Sequence, residues 1–464
     1  MLHFIPPTAT PTKWLASSYT ADWALGRSVP SREPIWPRRV ETHPKYAADT
    51  SLLGHCHTLI LLSVFPCTVL WYPILRSSAF GNLVLLDLVY LALWATTLAL
   101  VVHRNRLLPL GRRLANVCVF AVLAGLCSIV GTVLYGQTAS LVTDLLRHMR
   151  ICGFPSIIPL SMYVASRERI SRWVTISALL SITFSIGIQL TGYQERLPLF
   201  QEFSRLNDEQ MFRPTGAVSN PNEFGYMSML GFAFAIVLYL TTRKGSGFQR
   251  VLCLVAAAAA LWGVIISASR SAIVGILCGV IYYFAKQRMS SARKLVIVGL
   301  LLSVLVIGWR TAPVFQDRMN LAMTQRLGEA NVAGRLDAQL VALRTWCHWP
   351  LGVGFSNRIE ATSLYLGEFL SAVEGSDNIY VDYLLSAGIQ GLAFLLLCFA
   401  ACWRLVRVVN ITSRTAVLQA AIVGVLACGF GSVAPAMMFL APFFFAVVGT
   451  AALPERELRT GRRW

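Results

Sequence analysis

Four polar clusters interrupt an otherwise apolar chain, and each carries residues that could bind an anion or move a proton. The first is Arg213-Pro214-Thr215-Gly216, followed by Asn220-Pro221-Asn222-Glu223. Asn220 can cap a helix, Pro221 suits its first position, and Glu223 sits where a capping-box acid belongs. A well-made helix start explains those residues but leaves Arg213 and Gly216 unexplained. The second cluster is Ser267-Ala268-Ser269-Arg270-Ser271. A snorkelling interfacial arginine is the plain reading of Arg270. A cation at a helix N-terminus opposes the helix dipole, however, and an anionic ligand would resolve the mismatch. The third cluster is the long polar segment 311–378, with Arg335, Arg358 and His348 inside it and Asp377-Asn378 at its end. Asp377 reads either as an N-cap or as a reactive carboxylate. Its Gly352-Val353-Gly354 is too short for a nucleotide fingerprint and has no strand before it. The fourth cluster, Asp144, Arg147, His148 and Arg150, lies within an apolar run. Positions 144, 147 and, loosely, 150 share a helical face. Charge inside a membrane is costly and faces a cavity or a partner. An Asp144–Arg147 pair would leave Arg150 over, which favours a binding role for these arginines.

The elements that position these clusters follow from composition. The 464 residues are 56% hydrophobic and 13% charged, against about 25% charged in soluble domains. A membrane protein is the class that accommodates such a chain. The formal charge of +18 would suggest nucleic acid in a soluble protein. Here no basic stripe with interleaved aromatics supports that partner, and the basic residues gather in loops. The 11 cysteines lie mostly inside apolar runs, without CxxC spacing, and read as small hydrophobes.

Runs of about 20 apolar residues place membrane spans near 53–75, 80–102, 115–135, 139–165, 171–192, 222–241, 249–267, 270–286, 294–310, 378–404, 415–433 and 435–453. The expected fold is an all-α polytopic membrane protein with about twelve transmembrane helices, the long segment lying between helices 9 and 10. Residues 1–52 read as a flexible tail without a secretory signal, 53–453 as one transmembrane domain, and 454–464 as a basic tail. With twelve spans, the Arg- and Lys-bearing loops near 103–113, 166–172, 241–250, 286–294 and 403–414 fall on one side with both tails. That side is then the cytoplasm. The helices beginning near Asn222, Arg270 and Asn378 consequently present their N-termini, with free N–H groups, to the outer face.

Taken in order, these motifs resemble the O-antigen ligase and polysaccharide polymerase superfamily of bacterial inner-membrane proteins. The residues that carry the resemblance are Arg213, Gly216 and Asn220-Pro221-Asn222; Ser269-Arg270-Ser271; Arg335 with Trp346; 350–354; and Asp377-Asn378 with Gly388 and Gly391. They cover about residues 200–400; residues 1–52 have no counterpart. The resemblance implies an all-helical, GT-C-like glycosyltransferase in the inner membrane, with 311–378 as a periplasmic loop. Its donor would be an undecaprenyl-diphosphate-linked oligosaccharide, its acceptor a glycan hydroxyl, and its partners the bilayer and flippase or chain-length and export proteins. Neither a metal nor a cofactor is expected. Asp377 and Arg270 would be catalytic, and Arg213, Asn220, Asn222, Arg147, Arg150, Arg335, Arg358, His348 and Asn378 would cradle the diphosphate or glycan. Ligase-like members often carry a histidine where this chain has Asp377. The base is therefore Asp377, or His348 folded inward, or no strong base at all, with Asp377 ranked first. Polymerase is the leading activity, ligase the alternative, and a secondary transporter the third possibility, disfavoured by the absence of an internal repeat. The long loop would act as a lid over a floor of Arg213, Arg270 and Arg150. Replacing Asp377 with Asn is expected to cripple glycan transfer, measured on membranes with a lipid-linked donor; full activity would make the residue a cap only.

Overall fold

The computed structural model describes residues 52–74, 85–103, 109–136, 140–165, 170–190, 221–242, 246–287, 289–312, 316, 329–358, 360–362, 378–407, 412–431 and 441–453. These form α1 (Leu52–Ile74), α2 (Leu85–His103), α3 (Pro109–Leu134), α4 (Leu141–His148), a π-helical turn (Met149–Gly153), α5 (Ile157–Val164), α6 (Ile170–Leu190) and α7 (Pro221–Thr241). They continue as α8 (Gly247–Ser267), α9 (Arg270–Lys286), α10 (Ser291–Thr311), α11 (Glu329–His348), α12 (Ile379–Arg407), α13 (Ser413–Gly429) and α14 (Ala441–Ala452). No strand occurs among the described residues. The protein is an all-α polytopic membrane protein, with eight described helices long and apolar enough to cross a bilayer. Each of the twelve expected spans contains a helix, but α9 and α13 have 17 residues and α14 has 12. The fourth expected span is broken by the π-helical turn. Pro155 follows it and has no N–H to give Ile151, and the ladder widens so that Phe154 N–H bonds Met149 O at 2.6 Å.

Small residues set the helix pairings. α3 buries Ala121, Ala124, Gly125, Ser128 and Gly131 and lies along α12. α9 meets α13 with Gly275 against Gly424 and Gly279 against Ala420. Close backbone approach of this kind provides van der Waals contact that apolar surface alone cannot supply between helices in lipid. Of the eight long spans α7 is the most enclosed, with 72% of its apolar window buried, and α10 the least, with 6%; the shorter α14 is buried along its whole length.

α12 is interrupted at Gly388, whose φ of 70° and ψ of −174° are open only to glycine. A helical break orphans backbone groups, and within a bilayer each must find a protein partner. The partner here is the segment 350–357 that follows α11. Leu385 O accepts from Val353 N (3.0 Å) and Ser386 O from Gly354 N (2.9 Å), while Ile389 N donates to Pro350 O (3.3 Å). In an unbroken helix Ile389 N would have bonded Leu385 O, and Ser386 O would have taken the amide of Gln390. Gln390 Nε2 adds a bond to Leu351 O at 2.9 Å. Side chains would wedge this pairing apart. A Cβ on Gly352 would lie 2.6 Å from both Gly388 N and Ser386 O.

The sequence-based picture of a lid therefore needs correcting for this part of the loop. Segment 350–357 is seated between α3 and α12 and forms part of the bundle. α11 does form where Leu340, Leu343 and Trp346 suggested an amphipathic helix, but its buried face is Ala338, Val341, Ala342 and Thr345, and Leu340 is 53% exposed. The close approach of α11 to α12 and Val353 admits small side chains on that face. Gly388→Ala is expected to uncouple α12 from the segment, through about 1–3 kcal/mol of backbone strain plus the clash with Leu351. A lowered unfolding temperature of the purified protein in detergent would register the change.

Candidate functional site

Three helix starts meet at one end of the bundle. A Cβ on Gly225, in the first turn of α7, would lie 2.5 Å from Ser269 Cβ and 2.6 Å from Ser267 Oγ. The start of α7, with Asn222, thus presses on the turn that carries Arg270. That turn includes Ala268 in the left-handed region at φ 49°. Ser269 caps α9 by accepting from Ala272 N at 3.5 Å. The end of α13 joins the third start. Gly429 packs on Ile379 and Tyr380, Gly431 on Ser271, and Tyr380 Oη donates to Leu426 O at 3.1 Å. Asn378 caps α12, its Oδ1 accepting from Tyr380 N (2.9 Å) and Val381 N (3.2 Å). The N–H groups left free at helix starts, with the positive end of each dipole, favour anions.

Beside these starts, Phe355 on the seated segment organises a cationic cluster. The Arg147 guanidinium carbon lies 5.2 Å from its ring centroid and that of Arg358 4.6 Å. The His148 ring meets the Phe355 ring edge-on at 4.2 Å, and Tyr383 of α12 completes the aromatic group at 5.8 Å. His148 Nδ1 is 3.3 Å from Tyr383 Oη. Arg358 donates from Nε to Phe355 O at 3.1 Å and is ion-paired with Asp382. Asp382 lies one turn beyond Asn378 on α12 and is buried. Arg147, by contrast, is exposed and makes no ion pair among the described residues. An exposed guanidinium beside an aromatic ring can take a phosphate or carboxylate.

The sequence-derived site residues divide under this geometry. Arg147 and Arg358 are brought together. Arg270 and Asn222, both partly exposed, stand at adjoining helix starts. Asn378 serves its own helix through its side-chain oxygen. His348 is exposed at the end of α11 with Nδ1 2.9 Å from Arg344 O, so no inward fold of this residue is observed. Arg213, Asn220, Asp377 and the side chain of Arg335 lie outside the described residues.

Arg150 requires a correction. It is not left over for a ligand but forms an ion pair with Asp87 of α2, Nε lying 2.8 and 3.1 Å from the two carboxylate oxygens. At 3.6 residues per turn, position 150 is about 120° around the helix from 144, and the π-helical turn directs it to α2. Asp87 was missed, although a lone acid in the apolar run 80–102 needs a basic partner in another span. Asp382, Phe355 and Tyr383 were also missed as site residues. Only the proximity of Asp382 to Asp377-Asn378 hinted at them.

The fold defines a multi-pass membrane protein, with a cationic, aromatic cluster at one end of its bundle. A family model described as O-antigen ligase matches residues 255–396, from within α8 through the first half of α12. The matched stretch contains Arg270, Phe355, Arg358, Asp382 and Gly388, and it supports assignment of the chain to the O-antigen ligase and polymerase superfamily. The coarse function is therefore glycan processing of that type. No curated protein matches the sequence.

The Arg150–Asp87 pair is a structural element on this reading. Asp87→Asn removes the carboxylate charge from a partly buried ion pair and should destabilise the protein by about 3–5 kcal/mol. Pairing it with Arg150→Gln should restore much of the unfolding temperature in detergent.

Proposed function

We propose that the chain transfers glycan from a polyprenyl-diphosphate-linked oligosaccharide to a sugar hydroxyl, extending lipid-linked repeats into exopolysaccharide or O-antigen. The observation that carries this reading is the convergence of Arg147 and Arg358 on Phe355 beside the starts of α7, α9 and α12. A lipid diphosphate is the anion that a membrane-embedded site of this kind and family would meet. The acceptor oxygen attacks the anomeric carbon as the bond from that carbon to the diphosphate oxygen breaks. The leaving diphosphate takes up the bonding electrons, and fixed guanidiniums and helix N–H groups stabilise its charge. Asp377, one residue before the cap of α12, would accept the hydroxyl proton, with Arg213 and Asn220 adding donors at the start of α7. Arg335 would add a further contact to the glycan, and His348 would meet it at the exposed end of α11.

Loop charge supports an orientation with 311–378 on the periplasmic side of an inner membrane and both termini in the cytoplasm. Residues 1–52 and 454–464 would be tails flanking a single membrane domain of residues 53–453. Flippase and chain-length or export proteins are the natural partners of such an enzyme. The second reading is a ligase that moves finished glycan to an acceptor such as lipid A core or protein; the family description favours it.

A gel of lipid-linked glycan from a deletion strain separates the two. Single repeats retained on the carrier are expected for a polymerase; long unattached chains would establish a ligase. Complementation with Arg147→Ala should leave the protein inserted but lower transfer about 10- to 100-fold, the loss of one charge-assisted contact. Normal chain length in that strain would exclude Arg147 from donor binding.

A further inference from the structure

Asp144 on α4 is fully buried, and a buried carboxylate ordinarily finds a cation. Arg147 is one turn away on the same helix, yet no ion pair joins them among the described residues. The carboxylate instead accepts three neutral donors. Its Oδ2 takes Thr132 Oγ1 of α3 at 2.8 Å, and its Oδ1 takes Ser356 N at 2.8 Å together with Ser356 Oγ. Ser356 lies between the residues that build the cationic cluster. Phe355, directly before it, carries both guanidiniums, and Arg358 follows two residues later. Gly354 is the point of closest approach, where a Cβ would collide with Thr132 Oγ1 and Asp144 Oδ2. Asn357 Nδ2 donates to Val353 O at 2.7 Å and Ala361 N to Asn357 O at 2.9 Å, so the turn is tied internally as well. The α12 break and Asp144 hold it on two sides, beside the Arg358–Asp382 pair and a bond from Ser140 Oγ to Asn357 Oδ1 at 3.4 Å.

We propose that Asp144 is a positioning residue for glycan transfer. Through Ser356 it holds Phe355 and Arg358 in register with Arg147, and by accepting backbone and hydroxyl donors it leaves the Arg147 charge for the donor diphosphate. The inference rests on the reading of the Arg147–Arg358 cluster as the diphosphate site. The arrangement divides labour on α4. Its acid is directed at the segment, and its arginine three residues later at the ligand. An Asp144–Arg147 pair would satisfy both charges locally and would put a carboxylate in competition with phosphate.

The test uses the full-length protein in lipid nanodiscs, with hydrogen exchange and transfer from a polyprenyl-diphosphate-linked glycan measured together. Asp144→Asn keeps the shape but removes the charge that strengthens the bonds from Ser356, and its amide nitrogen can meet Thr132 Oγ1 only if that hydroxyl turns to Ser128 O, 3.3 Å away. Exchange in peptides spanning 350–362 is expected to accelerate about tenfold or more, with α7 and the second half of α12 unchanged. kcat/KM for the donor should fall about 100-fold, the cost of a misplacement near 1 Å. Ser356→Ala, at an exposed position, should show the same pattern more weakly, and it decides the matter if Asp144→Asn does not fold. Unchanged exchange in 350–362, or loss of protection throughout the bundle, would overturn the positioning role whatever happens to activity. Loosening of the segment with normal transfer would overturn it also. If Arg147→Ala then transfers normally as well, the diphosphate site has failed in its own right.

Discussion

The break in α12 at Gly388 is the constraint on which the site depends. Hydrocarbon offers no hydrogen bonds, so an interrupted helix survives only where protein satisfies the exposed amides and carbonyls. Segment 350–357 does this with its own backbone, taking the Leu385 and Ser386 carbonyls and supplying the Pro350 carbonyl to Ile389. The exchange is specific in register because it is made by main chain on both sides. A polar loop is thereby drawn into the bundle, and Phe355 and Arg358 with it.

The charges around that segment are distinguished by their partners. Arg150 is committed to Asp87 and ties α4 to α2. Arg358 is committed to Asp382 but keeps a face on Phe355 and part of its surface open. Asp144 is satisfied by hydroxyl and amide donors. Arg147 lacks an ion pair among the described residues and is exposed at the site. A pair such as Arg358–Asp382 is exchangeable, since phosphate can replace carboxylate on a guanidinium with similar geometry.

Much of the architecture was legible beforehand. Apolar run length located a helix in each expected span, and the Asn-Pro-Asn-Glu, Ser-Arg-Ser and Asp-Asn motifs fell at or directly before the starts of α7, α9 and α12. The amphipathic stretch near 335–346 became α11, although its buried face consists of smaller residues than anticipated. The site was legible in part. Arg147 and Arg358 were named and do meet. Arg150 was misassigned because helical spacing was read as a shared face, without allowance for the π-helical turn or for Asp87.

The sequence by itself determined the membrane class, the position of the helix starts and the presence of a charged segment among apolar ones. These follow from local properties, since hydropathy and capping act over one to a few turns. Only the tertiary structure decided which charges are spent on one another. Arg150 and Asp87 are 63 residues apart and Asp144 and Ser356 are 212 apart. Such pairings depend on how helices cross and on where a backbone break accepts a distant strand of chain. No spacing rule along the chain contains that information, because it arises when the unsatisfied groups of one element meet those of another.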